Sequence, residues 1–233
     1  MAGFNITIAG DSAINLEFAK TISPQTSGMI RVAAQTLTDD PIPGVTELVP
    51  TFCSLMVTYD PCVIGYDELC QRVQGKLRNL AAAEAGVKRI VVIPVCYGGE
   101  FGPDLPTVAH HAGMSEQDVV SLHCAHDYLI DMLGFLPGFA YLGGLDPRLH
   151  TPRLSVPRPE ISAGSVGIGG KQTGVYPMES PGGWQLIGRT PLTLFAPGEP
   201  LPYAAGDRIR FVPIDENEFA RIRKGEEAKR HDA

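Results

Sequence analysis

The sequence predicts an α+β chain: a helix-backed sheet domain first, then a β-rich domain built as a barrel or a sandwich. Three observations carry this. Between Gly134 and Gly206 there are 14 Gly and 11 Pro in 73 residues, far denser than before Gly134. They alternate with short apolar stretches such as Ser165-Val166-Gly167-Ile168, Trp184-Gln185-Leu186-Ile187 and Leu192-Thr193-Leu194-Phe195, the pattern of short strands joined by tight turns rather than of disorder. Upstream, helical and strand-like periodicities alternate. The boundary falls within residues 128–138, giving an α+β domain over 1–133, a β-rich domain over 134–214 and a charged tail over 215–233.

The first domain opens with a hairpin, Asn5 to Ala9 and Ala13 to Phe18, turning at Gly10-Asp11. Ser23-Pro24 reads as an N-cap with Pro at the first helical position, and Ile30, Ala33, Ala34 and Leu37 follow at helical spacing. Val45 to Phe52 and Ser54 to Tyr59 are β-rich. Tyr66 to Ala85 reads as a helix with Leu69, Val73, Leu77 and Leu80 on one face and Gly86 as its stop. Arg89 to Tyr97 is a buried strand with Pro94 at an edge or bulge. Asp104 and Ser115 are expected to cap two short helices, the second with Asp118 three residues on. The resulting order β-β-α-β-β-α-β suits a helix-backed sheet. Asp215 to Ala233 carries charges of both signs and reads as a solvated helix with a frayed end.

Composition excludes several classes. The chain has 233 residues, 44% hydrophobic and 19% charged, with a net charge of −7; that suits a globular core and leaves no surplus of cations for a general nucleic-acid or anionic-membrane binder. No run of about 18 apolar residues is present. The start lacks a basic region before an apolar one, and five Cys without CxxC pairs read as reduced thiols, so a cytoplasmic protein is expected.

Individual motifs are mostly negative. Ala163 to Gly174 is Gly-rich, but a Walker A loop would need Gly where Ser165 stands and Ser or Thr where Gln172 stands, and a dinucleotide fingerprint would need Gly at 172. The bland reading is a strand and turn where another group approaches closely. Five of the six His lie between His110 and His150, and His123-x-x-His126 near Cys124 has metal-like spacing, yet no third ligand stands at a recognised distance, so no metal is expected. No GxSxG elbow occurs. Two stretches combine aromatics with turn residues: Phe135 to Gly144, and Thr173 to Pro177 with Pro181 to Trp184. Such side chains line small-molecule pockets or interfaces, or cap barrel ends.

Longer motifs carry a resemblance. Val95-Cys96-Tyr97-Gly98-Gly99-Glu100-Phe101-Gly102-Pro103-Asp104-Leu105, Leu133-Gly134-Phe135-Leu136-Pro137-Gly138-Phe139, Ala163 to Gly170, Gln172 to Pro177 and Pro181 to Thr190 together resemble the 5-oxoprolinase B-subunit family, also named allophanate hydrolase subunit 1, which includes a sporulation histidine-kinase inhibitor. Departures at Ala140 and Lys171 are local. The resemblance implies a cyclophilin-like β-barrel as the second domain. It also implies a non-autonomous enzyme component, paired with the carboxyltransferase-like C subunit of 5-oxoprolinase and working with its A subunit, in a complex that opens 5-oxo-L-proline to L-glutamate with ATP hydrolysis. ATP with Mg²⁺ would then act at the level of the complex, since this chain shows no triphosphate cradle. Alternatives are a module that inhibits a sensor histidine kinase, a carboxyltransferase-like subunit of a urea or allophanate pathway enzyme, and, lower still, a prolyl isomerase. Within the family motifs, Phe135, Pro137, Gly138, Phe139 and Tyr141 are expected to approach Gln172, Thr173, Tyr176 and Trp184 around one substrate- or partner-facing surface, with Tyr97 and His123 nearby. His123 is the candidate catalytic residue, because imidazole titrates near neutrality.

Overall fold

The structure, a computed structural model, describes residues 3–80 and 89–231. It divides into two compact units, Met1–Gly86 and Val87–Ala233.

In the first unit, β1 (Asn5–Ile8) and β2 (Ala13–Glu17) form an antiparallel hairpin that turns through Gly10 at φ 76°. Helix α1 (Pro24–Asp39) begins where Ser23 Oγ accepts from the Thr26 N–H at 3.1 Å, so one of the orphan donors of the first turn is satisfied. Strands β3 (Val45–Pro50) and β4 (Ser54–Tyr59) complete an antiparallel sheet of order β1-β2-β4-β3. Leu55, Val57 and Tyr59 alternate inward along β4 and meet Ile30, Ala33 and Leu37 of α1 and Leu69 and Val73 of α2 (Tyr66–Lys76), as a sheet with one covered face requires. Helix α2 ends at Lys76, short of the expected Ala85. Leu77 and Leu80 still pack on this core, but from a turn in which the Leu80 N–H donates to the Leu77 carbonyl at 3.2 Å; apolar spacing alone does not distinguish the two. The expected stop at Gly86 lies outside the described residues.

The second unit holds β5 (Ile90–Tyr97), α3 (Leu105–Ala112), α4 (Glu116–His123), β6 (Tyr128–Leu133), β7 (Ala140–Gly143), β8 (Arg158–Ile161), β9 (Ser165–Gly169), β10 (Gln172–Val175), β11 (Ser180–Gly182), β12 (Gln185–Arg189), β13 (Arg208–Pro213) and α5 (Glu216–His231). Seven strands close a barrel in the order β10-β7-β6-β13-β5-β12-β9, and β8 with β11 forms a two-stranded ribbon. The barrel pairs are antiparallel except β5 with β13, which run parallel from Ile90↔Arg208 to Val95↔Pro213. The α+β class and the barrel are therefore present, and between Ser162 and Phe211 the described residues contain no helix.

The unit boundary differs from the one drawn at residues 133–134. Strands β5 and β6, placed by Gly/Pro density in the first domain, are barrel staves. Gly and Pro mark the turns between later strands, but β5 finds its parallel partner at the far end of the chain and needs no tight turn. Consequently β5 does not extend the sheet of the first unit. Pro94 sits where β5 is laddered to β13 alone, since β12 joins only at Cys96 and Tyr97, so its missing N–H leaves no partner orphaned.

The motif from Val95 to Leu105 fastens β5 and α3 to β12. Gly98 and Gly99 take φ 73° and 51°. Asp104 precedes α3 as expected, but its side chain does not cap that helix: the carboxylate accepts from Leu186 N and from Arg158 Nη2, each at 2.7 Å. Ser115 and Asp118 do form a reciprocal capping box at α4. The last helix, α5, is less solvated than a tail: Phe219 packs on Phe101 with ring centroids 4.6 Å apart and joins a cluster with Cys96. A Cβ on Gly102 would overlap the Ile187 carbonyl, which is backbone and cannot swing aside. Gly102→Ala is therefore expected to lower stability by about 1–3 kcal/mol, read as a fall in the midpoint of thermal or urea unfolding.

Candidate functional site

An aromatic cavity of about 280 Å³ opens on the second unit, lined by Phe135, Phe139, Tyr141, Arg153, Pro157, Tyr176, Pro181, Gly182, Gly183 and Trp184. Phe139 is its hub. Its ring meets Phe135, Tyr141, Tyr176 and Trp184 at centroid distances of 5.7, 4.8, 5.2 and 5.5 Å, each edge-to-face, the arrangement favoured by the ring quadrupole. Burial pushes the Tyr176 phenol up to about 12, so it stays protonated.

Local sequence explains how the rings arrive there. The loop between β6 and β7 is tight: the Gly134 N–H donates to the Phe139 carbonyl and the Phe139 N–H to the Leu136 carbonyl. Gly138 takes φ 80°, and Phe135 takes φ 70° while remaining 61% exposed. A bulky residue in the left-handed region is a strained position, and here the strain holds an aromatic ring at the cavity mouth. On the opposite wall the Gly-rich stretch makes room for Trp184. A Cβ on Gly169 would overlap the indole ring; one on Gly174 would lie 3.1 Å from Trp184 and 3.2 Å from Phe139; one on Gly167 would lie 3.2 Å from the Trp184 Cβ. These glycines belong to β9 and β10, whose residues pair with each other and with β7 and β12. The stretch accommodates an indole and does not form a phosphate loop.

The structure thus brings Phe135, Phe139, Tyr141, Tyr176 and Trp184 together, with Pro137 and Gly138 in the loop that carries two of them. Gln172 starts β10 half-exposed and does not line the cavity. Tyr97, His123 and Thr173 form a separate chain inside the barrel. Tyr97 Oη lies 2.8 Å from His123 Nδ1, and His123 Nε2 lies 2.8 Å from Thr173 Oγ1, which donates to the Gly167 carbonyl at 3.0 Å. Since the Thr173 proton goes to Gly167, Thr173 accepts from Nε2–H, and Nδ1 then accepts from Tyr97. The His123 ring is fully buried and stacks on Phe211 at 4.6 Å. Burial, aided by the neighbouring His126, holds it neutral down to about 3. The proton-handling role expected of His123 therefore meets a ring whose two nitrogens are both occupied, away from the cavity lining. His126 turns elsewhere, its Nε2 2.6 Å from the Gly144 carbonyl, and among the described residues no group of three potential metal ligands occurs.

Sequence reasoning missed Arg153. Its guanidinium carbon stands 5.8 Å from the centroid of the Trp184 ring, within cation–π range, and its charge draws the Tyr141 and Tyr176 phenols down against the upward push of burial. A lone Arg between Pro152 and Leu154 has no periodicity to announce it.

Comparison with known proteins fits this architecture. Residues 4–204 match the family model of the carboxyltransferase domain, subdomain C and D. The chain is 44% identical over 228 residues to the B subunit of 5-oxoprolinase from Bacillus subtilis (strain 168), covering 93% of this chain and 95% of that one. It is 45% identical over 212 residues to the B subunit of 5-oxoprolinase from Escherichia coli O157:H7, covering 90% and 95%. The chain belongs to the 5-oxoprolinase B-subunit family. A solved structure, that of TTHA0988, matches with a TM-score of 0.78 and 35% identity over 87% of this chain and 40% of that longer one. As a member of the 5-oxoprolinase B-subunit family, the chain is a relative of enzyme-complex components, and no helix among its described residues is long and apolar enough to cross a membrane.

For His123 the sign of the pH effect is fixed. Its folded value of about 3 lies below the unfolded value of about 6.5, so the unfolded chain binds the proton first. The stability this ring confers is complete above about pH 6.5 and declines as pH falls toward 3. Urea unfolding from pH 7 to pH 4 should show this decline, and His123→Phe should have a shallower one. His123→Ala, which removes the ring that Tyr97 and Thr173 both hydrogen-bond and opens a hole, should cost about 2–4 kcal/mol.

Proposed function

We propose that this chain is the B component of an ATP-dependent 5-oxoprolinase, a cytoplasmic heteromer that opens 5-oxo-L-proline to L-glutamate. The observation that carries the reading is the match to relatives named as the B subunit of 5-oxoprolinase along nearly the whole length of both chains. The aromatic cavity supplies a wall of the substrate site: its rings offer an apolar, water-excluding surface, and the strained loop of Phe135 covers its mouth. His123 acts from the core as a positioning residue that ties α4 to the barrel strands.

The residues present do not fit a triphosphate. The Gly-rich stretch is filled by an indole, and acidic side chains such as Asp104 and Asp127 are already engaged by Arg158 and Arg210. ATP and its Mg²⁺ are accordingly assigned to the partner components, the carboxyltransferase-like C subunit of 5-oxoprolinase and its A subunit. This chain contributes binding and orientation, which can account for a large part of a barrier when a second subunit provides the reacting groups.

Two measurements test the reading. The purified chain should neither consume ATP in the presence of 5-oxoproline nor release glutamate, and addition of the C and A components should establish both. Robust turnover by the chain alone, or tight binding to a histidine kinase with indifference to the C component, would sink it. Within the active complex, Phe135→Ala should raise the KM for 5-oxoproline several-fold while changing the unfolding midpoint of the chain little, because an exposed side chain contributes little to the core.

A further inference from the structure

Resting on that functional reading, we propose that Arg153 is the carboxylate-binding residue of the aromatic cavity, and that the cavity selects a small cyclic amide bearing an acid group at its rim. Among the residues lining the cavity, Arg153 alone is charged; the others are aromatic, Pro or Gly. A cavity of about 280 Å³ lies at the small end of ligand sites, which run from about 300 Å³ upward. Methylene groups of a lactam ring suit aromatic walls, whereas a carboxylate enters such a site only with a counter-charge. The planar fork of an arginine meets a carboxylate with two parallel N–H donors.

Arg153 is also prepared for this. The backbone on both sides of it is pinned: Gln185 Nε2 donates to the Pro152 carbonyl at 3.0 Å, and the Leu154 N–H donates to the Gly183 carbonyl at 2.7 Å. The guanidinium carbon stands 5.8 Å from the centroid of the Trp184 ring, which places the cation at the cavity wall. Nearby Arg158 is bound to Asp104, but Arg153 has no carboxylate partner among the described residues. A cation beside an aromatic face, without a carboxylate partner among the described residues, is what a carboxylate-selecting rim requires.

The test uses Trp184, the chain's sole tryptophan, as a reporter of cavity occupancy that is independent of turnover. The full chain is titrated with 5-oxo-L-proline and with 2-pyrrolidinone, the same ring without the acid. Arg153→Gln should weaken 5-oxoproline about 10- to 100-fold and leave pyrrolidinone unchanged, with Arg153→Lys between. In the assembled complex, Arg153→Gln should raise the KM for 5-oxoproline by a similar factor with a much smaller change in kcat. Equal losses for both ligands, or an unchanged affinity and KM in Arg153→Gln, would overturn the assignment, as would a defect confined to assembly of the complex. A wild-type complex that opens 5-oxoproline while Arg153→Gln keeps its KM removes the carboxylate assignment alone. A wild-type complex that does not open 5-oxoproline removes the functional reading itself.

Discussion

One indole seated on glycine backbone organises the aromatic cavity of the second unit. Trp184 is 4% exposed although it belongs to a turn before β12, because Gly167, Gly169 and Gly174 present no side chain beneath it. Glycine in a strand interior sacrifices packing and costs conformational entropy. Burial of a large ring, on the order of 150–250 Å², offsets that cost, and the exchange also fixes the positions of Phe139, Tyr141 and Tyr176 around the ring. The cavity is the space these rings leave, and its walls come from the loop between β6 and β7 and the turn before β12 as well as from β7 and β11.

The polar interior works differently. The chain from Tyr97 through His123 to Thr173 joins β5, α4 and β10 with every ring nitrogen occupied, and Tyr128 Oη donates to the His123 carbonyl at 2.8 Å. A buried network satisfied at each member rigidifies a core and specifies one arrangement of its parts. The same burial that makes this ring a good rivet disfavours its charged form.

Much of this was legible from residue patterns. The hairpin at Gly10, the Ser23-Pro24 helix start, the Ser115–Asp118 box and the β-rich half follow from local rules that tertiary contacts do not override. The aromatic residues of the cavity were legible as a set because rings on turns have few other uses. The barrel membership of β5 was not, since parallel pairing with β13 across more than a hundred residues leaves no local trace; nor was Arg153, whose placement depends on hydrogen bonds from Gln185 and Leu154. The engagement of Asp104 by β12 rather than by its own helix was hidden for the same reason. Spacing reports neighbours in sequence, and these contacts are between neighbours in space.

The parallel pairing has a consequence for biosynthesis. The first stave of the barrel, β5, is made early, and its partner β13 emerges only after every other stave. The first unit, with a core of its own, can fold while the ribosome is still translating, as domains commonly do. The barrel cannot: until residue 213 leaves the ribosome, β5 carries an open edge along Ile90 to Val95, and Val92 keeps an exposed apolar side chain even in the finished fold. Closure across that separation is entropically slow. The nascent second unit therefore passes through an interval in which its oldest strand is unpaired and adhesive.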